Sequence, residues 1–190
     1  MRHTTARSVF TFLLFISASV FAERIYYPLS VICAVSLHEA GHLIASKLLN
    51  IPLSGTDFTP FGIRLSFDLS TESVIKEVLV YLSGSLVSII AGTAVLLTSS
   101  PHNKAVFSFA LVSLTFGFVN LMPVKNLDGG CIAESILSAI LSPDVGFRIT
   151  KAVSDVFVFL FWFCTLYISL SDGINVSMIA MAVYLIFSSL

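Results

Sequence analysis

The chain has 190 residues, of which 56% are hydrophobic and 11% charged, and its mean hydropathy is +0.97. A soluble domain carries roughly 25% charged residues, so this composition excludes an ordinary water-exposed surface and predicts a lipid bilayer as the surroundings. A net charge of −1 without any basic cluster argues against a nucleic-acid partner. The length predicts a single membrane-embedded domain over 1–190.

Apolar stretches recur along the chain, and a helix needs about 20 apolar residues to cross the hydrocarbon core. The stretches lie at 8–22, 26–49, 78–98, 105–123, 152–170 and 174–190. This pattern predicts an all-α membrane protein, a bundle of about six transmembrane helices. The first stretch is short, with Arg2 and Arg7 before it and Ala22 at its end. It therefore fits either a retained span or a cleaved signal peptide.

The basic residues predict the orientation of these spans. If the N-terminus is cytoplasmic and six spans alternate, only Arg24 and Lys104 lie outside. The basic residues then inside are Arg2, Arg7, Lys47, Arg64, Lys76, Lys125, Arg148 and Lys151. This asymmetry satisfies the positive-inside rule. It predicts a multi-pass protein of the cell membrane.

Two segments differ from plain spans. The segment 53–75 begins with helix-breaking glycine and proline, and over 63–69 apolar and polar residues then alternate. Alternation with period 2 is typical of a strand with one wet face, so we expect a short β-hairpin at the cytoplasmic interface. The segment 124–143 follows Pro123 and starts with polar residues. It predicts a broken or re-entrant helix, which a membrane tolerates where protein or water satisfies the backbone.

The residues best suited to metal binding and catalysis form an HExxH sequence within an apolar stretch, His38-Glu39-Ala40-Gly41-His42. Residues four apart share one face of a helix, so both imidazoles can bind one zinc ion, while Glu39 can take a proton from the attacking water. Ionisable groups at membrane depth are functional by default. The alternative is a hydrogen-bonded polar cluster that joins helices. Gly41 leaves room for a close neighbour.

A catalytic zinc requires a third protein ligand. The acidic residues able to reach membrane depth are Asp128 and Glu134. Asp128 precedes two glycines, on backbone that can approach a metal closely, although aspartate is also a favoured helix N-cap. Glu134 is the rival ligand, and otherwise a polar residue beside the site.

The eleven residues Asn120-Leu-Met-Pro-Val-Lys-Asn-Leu-Asp-Gly-Gly130 resemble the second signature of the site-2 protease family. Members are intramembrane zinc metalloproteases that pair HExxH with Asn-x-x-Pro…Leu-Asp-Gly. The chain is most similar to the compact bacterial group that includes the stage IV sporulation protein FB. Lys125 and Asn126 depart from the usual pattern, and Gly84–Ser88 only loosely resembles a Gly-Pro-x-x-Asn stretch of relatives.

The resemblance implies one zinc per chain, Asp128 as third ligand and Asn120 as a residue that holds substrate backbone. It places the catalytic core at about 26–142, toward the cytoplasmic side. The expected reaction is hydrolysis of a peptide bond in or near a transmembrane segment of a membrane-tethered protein, such as a transcription factor precursor. The rival interpretation is a catalytically inactive pseudoprotease or metal-binding scaffold.

Overall fold

The computed structural model describes residues 26–59, 62–67, 73–100, 102–171 and 176–189. The elements are, in chain order, helix α1 (Tyr26–Leu48), strands β1 (Leu53–Thr59) and β2 (Gly62–Phe67), and helices α2 (Val74–Thr98), α3 (Lys104–Asn120), α4 (Asp128–Ile140), α5 (Pro143–Ser171) and α6 (Val176–Ser189). The chain divides into two compact units, Met1–Asn120 and Leu121–Leu190. The predicted stretch 8–22 lies outside the described residues.

The protein is nearly all helical, and its helices suit a membrane. Three of those described are long and apolar enough to cross one: Leu29–Leu48 within α1, then α2 and α5. Helix α3, with 17 residues, is shorter. Large apolar side chains face outward, and Leu97 and Leu170 are 80% and 87% exposed. The buried positions include many small hydroxyl residues. This distribution is the one expected where lipid, rather than water, surrounds the protein.

In the first unit, helices α1, α2 and α3 all contact one another. Glycines permit the close approach: a Cβ added to Gly41 of α1 would lie 2.9 Å from the Cα of Gly84 in α2. The neighbour for which Gly41 was expected to leave room is therefore the backbone of α2. Small residues at helix contacts are the common membrane solution, because lipid supplies no hydrophobic force between helices.

Strands β1 and β2 pair antiparallel, with Thr59 opposite Gly62, Asp57 opposite Arg64 and Gly55 opposite Ser66. The register is irregular between Leu53 and Gly55. The second strand falls within the segment whose period-2 alternation predicted a strand over 63–69, and it contacts α1. Residues 60–61 and 68–72 lie outside the described part of the chain.

The second unit contains α4, α5 and α6. The segment expected to be a broken or re-entrant helix is a 13-residue helix, α4, that begins at Asp128 after a non-helical turn. Helix α5 starts nine residues before the predicted span 152–170. Pro143 and Asp144 explain this start, because proline fits the first helical position and an acidic side chain suits the positive N-terminal end.

Candidate metal centre

Helix α1 carries both histidines of the HExxH sequence in its buried interior, where His38 is 2% and His42 5% exposed. Their Nε2 atoms lie 3.1 Å apart, and the rings meet edge to face with centroids 4.7 Å apart. The spacing of four residues produces this meeting, because it returns the second side chain to the same helix face. Glu39, half-buried, follows His38 on the same turn.

The His42 ring is fixed by a carbonyl of the neighbouring helix. Its Nδ1 lies 2.7 Å from the backbone oxygen of Val80 in α2, which also accepts a bond from the Ser83 hydroxyl. A carbonyl can only accept, so Nδ1 of His42 carries a proton, and in the neutral ring the lone pair is then on Nε2, the atom nearest His38. This is the tautomer that a metal-binding Nε2 requires.

The His38 ring contacts two further residues of the first unit. Its Nδ1 lies 3.3 Å from the hydroxyl oxygen of Ser88 in α2, and its ring makes an edge-to-face contact with that of Phe116 in α3, with centroids 4.9 Å apart. The histidine pair is therefore held by all three helices of the unit.

The residues present fit a zinc ion. Two nitrogens bound to a tetrahedral zinc at about 2.0–2.1 Å lie roughly 3.3 Å apart, close to the 3.1 Å separating the two Nε2 atoms. Both rings are buried, and the outer nitrogen of His42 already has a fixed partner. Imidazole nitrogen is a ligand that zinc prefers.

Asp128 is the first residue of α4 in the second unit and is half-buried. The N-cap position belongs to Leu127, so the N-cap alternative for Asp128 is wrong. The two glycines after it accommodate the preceding turn: a Cβ on Gly129 would collide with the Leu121 carbonyl, and one on Gly130 with the Val124 carbonyl. The Asp-Gly-Gly sequence thus allows the turn 121–127 to fold against the start of α4.

The two departures from the family pattern have local explanations in that turn. Asn126 has φ 69°, in the left-handed region that asparagine tolerates better than most residues. The Lys125 N–H donates to the Ser154 hydroxyl of α5 at 3.0 Å, and the Lys125 ammonium lies 5.3 Å from the centre of the Phe147 ring. Asn126 therefore provides the left-handed backbone of the turn, and Lys125 attaches the turn to α5.

Asn120 is the last residue of α3, and its side-chain Nδ2 donates to the Phe116 carbonyl at 2.9 Å. That carbonyl belongs to the residue whose ring meets His38. Glu134 is half-buried on α4. Six residues correspond to about 240° of helical rotation, so Glu134 and Asp128 point from different faces of α4.

Sequence reasoning missed the contributions of Val80, Gly84 and Ser88. Val80 acts through its backbone, which side-chain patterns do not report. The other two lie in the stretch Gly84–Ser88, whose partial likeness to Gly-Pro-x-x-Asn was the available signal. A Cβ on Gly84 would lie 2.6 Å from Cε1 of His42, so this glycine is the surface against which the ring rests.

The chain is similar to known proteins in sequence and in fold. Residues 97–164 match the model of peptidase family M50. A curated zinc metalloprotease of Methanocaldococcus jannaschii is 28% identical over 188 residues, covering 92% of this chain and 54% of that protein. The chain therefore spans about half the length of this curated relative. The solved structure of a site-2 protease from Methanocaldococcus jannaschii has the same fold, with a TM-score of 0.73, 22% identity, and coverage of 94% of this chain and 84% of that one.

Over residues 97–164 the chain is similar to peptidase family M50, and it shares the fold of a site-2 protease. The three candidate spans and this similarity together support a membrane location.

We predict that Gly84→Ala weakens zinc binding more than about tenfold, since the added methyl must displace the His42 ring from a ligand position. Competition with a chromophoric chelator measures the affinity. Gly92→Ala is the matched control on the same helix: its Cβ would meet the Leu114 side chain at 2.9 Å and no histidine. Equal affinities for the two variants would contradict the assigned role of Gly84.

Proposed function

We propose that the chain is an intramembrane zinc metalloprotease that cleaves a peptide bond in or near a transmembrane segment of a membrane-tethered protein. The observation that carries this proposal is the buried histidine pair, with its Nε2 atoms 3.1 Å apart and Glu39 beside it, on a helix of membrane-spanning length. The activity named for the curated relative is consistent with it.

We assign His38, His42 and Asp128 as the ligands of one zinc per chain. Each offers one atom of a type that zinc accepts. Two histidines alone leave a catalytic site one ligand short, and the match to the family includes Asp128. Two glycines and the turn 121–127 fix the backbone at Asp128, as a ligand position requires.

When bound, zinc supplies the Lewis acidity that polarises a scissile carbonyl and lowers the pKa of water toward neutrality. The Glu39 carboxylate accepts a proton from the attacking water and then delivers it to the leaving amine. The Val80 carbonyl holds the His42 ring still throughout, because the bond at Nδ1 leaves the ring one orientation.

A transmembrane helix hides its carbonyls in hydrogen bonds, so the substrate must unwind locally before cleavage. Asn120 has groups that can hydrogen-bond to this opened backbone. One hydrogen of its side-chain amide is donated to the Phe116 carbonyl. The second amide hydrogen and the amide oxygen are of the types that pair with peptide C=O and N–H groups. A membrane-tethered transcription factor precursor is the substrate class that the resemblance to the sporulation group suggests.

The decisive experiment separates the protease from a metal-binding scaffold. Glu39→Gln should retain about one zinc per chain and lose cleavage, because the amide cannot take a proton. Asp128→Ala should lose both zinc and cleavage. Zinc is measured by elemental analysis, and cleavage by release from tagged single-pass proteins of the same organism co-expressed with the chain.

Full cleavage by Glu39→Gln would refute the assigned base. Full zinc retention by Asp128→Ala would move the third-ligand role to another residue.

We propose that the site faces the cytoplasm. His42 lies five residues before Lys47, and Asp128 three after Lys125, and the positive-inside rule places these lysines inside. In a background without Cys33, Cys131 and Cys164, Lys47→Cys and Lys125→Cys should react with membrane-impermeant thiol reagents only from the inner face. Lys104→Cys is the control and should react only from the outer face. The reverse pattern would overturn this topology.

We propose that β2 pairs with the unwound substrate, since a strand edge can satisfy opened N–H and C=O groups without reading side chains closely. The alternative makes the hairpin an interfacial anchor. Proline removes a backbone donor that alanine keeps. We therefore expect Ser66→Pro to lose cleavage while retaining zinc and membrane insertion, and Ser66→Ala to stay active.

A second substitution, Leu65→Pro, distinguishes the two edges of β2. Amides of neighbouring strand residues face opposite edges, so of Leu65 and Ser66 one faces β1 and the other faces away. Loss of cleavage in both Leu65→Pro and Ser66→Pro supports substrate pairing. Loss only for the proline whose amide faces β1 indicates that pairing within the hairpin is what matters. Loss for the proline whose amide faces away supports substrate pairing, and activity in both variants would refute the proposal.

A further inference from the structure

The two histidines of the candidate metal centre are held by chemically unlike partners. His42 Nδ1 faces the Val80 carbonyl at 2.7 Å, and a carbonyl accepts hydrogen bonds but cannot donate them. His38 Nδ1 faces the Ser88 hydroxyl at 3.3 Å, and a hydroxyl can do either. The His42 tautomer is thus fixed, whereas that of His38 is adjustable.

Because the two rings are in contact, the tautomer of His38 determines whether the pair can bind a metal ion. At a separation of 3.1 Å, two Nε2 lone pairs cannot face each other with nothing between them; a proton or a cation must lie there. A zinc ion in that place requires a lone pair on both Nε2 atoms.

Zinc at the pair therefore fixes the tautomer of His38. Its Nε2 must present a lone pair, so the proton resides on Nδ1 and is donated to the Ser88 oxygen. Ser88 is 0% exposed, so no solvent would replace its bond, and an unpaired buried N–H is costly.

We propose that Ser88 is the positioning residue of His38 in the metal centre: its hydroxyl accepts the His38 Nδ1 proton and orients that ring for zinc, as the Val80 carbonyl orients the His42 ring. This inference rests on the proposed zinc site. It assigns the polar residue of the Gly84–Ser88 stretch a role in metal affinity.

A purely structural role for Ser88 is the alternative, because its Cβ also packs near Gly117: a Cβ added there would lie 3.2 Å from it. Ser88→Ala keeps that Cβ and removes only the hydroxyl, so it isolates the hydrogen bond. Ser113→Ala is the matched control. Ser113 is also 0% exposed, and its hydroxyl has no hydrogen-bond partner within the described residues.

The test measures zinc affinity of the purified full chain in detergent by chelator competition. Ser88→Ala should bind about 10- to 100-fold more weakly, the usual effect of losing the outer partner of a ligand histidine. Ser88→Thr, which keeps a hydroxyl, should recover most of this loss, and Ser113→Ala should match the unaltered chain. Unchanged affinity in Ser88→Ala overturns the proposal. If the unaltered chain binds no zinc, the proposed function fails first.

Nitrogen-15 NMR of the imidazoles supplies a readout that packing alone would not move. The chain has only four histidines, so His38 and His42 can be assigned by substitution. In zinc-loaded protein both rings should carry their proton on Nδ1, and Ser88→Ala should alter the His38 signals while those of His42 stay unchanged. Unchanged His38 signals in Ser88→Ala would contradict the inferred role.

Discussion

The bond between His42 Nδ1 and the Val80 carbonyl is the interaction on which the site depends. It joins two helices, satisfies a buried polar group and selects the tautomer whose Nε2 lone pair is available to a metal. A buried polar group away from water must find such a partner or remain costly. The surface outside this centre is apolar, so helix packing has to supply every partner.

Close packing of the three helices makes these partners reachable. Gly41 and Gly84 bring α1 and α2 together, and the same Gly84 leaves space for the His42 ring. Phe116 of α3 completes the surroundings of His38. Polar and small residues therefore lie inside and large apolar ones outside, and the packing keeps the geometry of the histidine pair fixed.

In the second unit, several local interactions fix the turn 121–127 that precedes α4. The turn 121–127 folds over two glycines, positions Asn126 in the left-handed region and attaches to α5 through Ser154. Lys125 and Asn126, which depart from the family pattern, fit this turn without altering Asp128. A broken or re-entrant helix was expected here. The structure has a short helix preceded by this turn, because the glycines let the chain reverse just before Asp128.

The sequence by itself determined the features that depend on local spacing and on bulk composition. The four-residue interval placed both imidazoles on one helix face, the composition required lipid, and the alternation over 63–69 predicted a strand where β2 lies. The ends of helices were predicted less accurately, as at the start of α5. A polar first turn does not lengthen the apolar stretch from which a span is predicted. Only the tertiary structure decided which atoms hold the histidines. Val80 lies 38 residues from His42, and Ser88 lies 50 from His38. A backbone carbonyl cannot be recognised from the pattern of side chains, and a serine becomes a histidine's partner only when another helix brings it within hydrogen-bond distance.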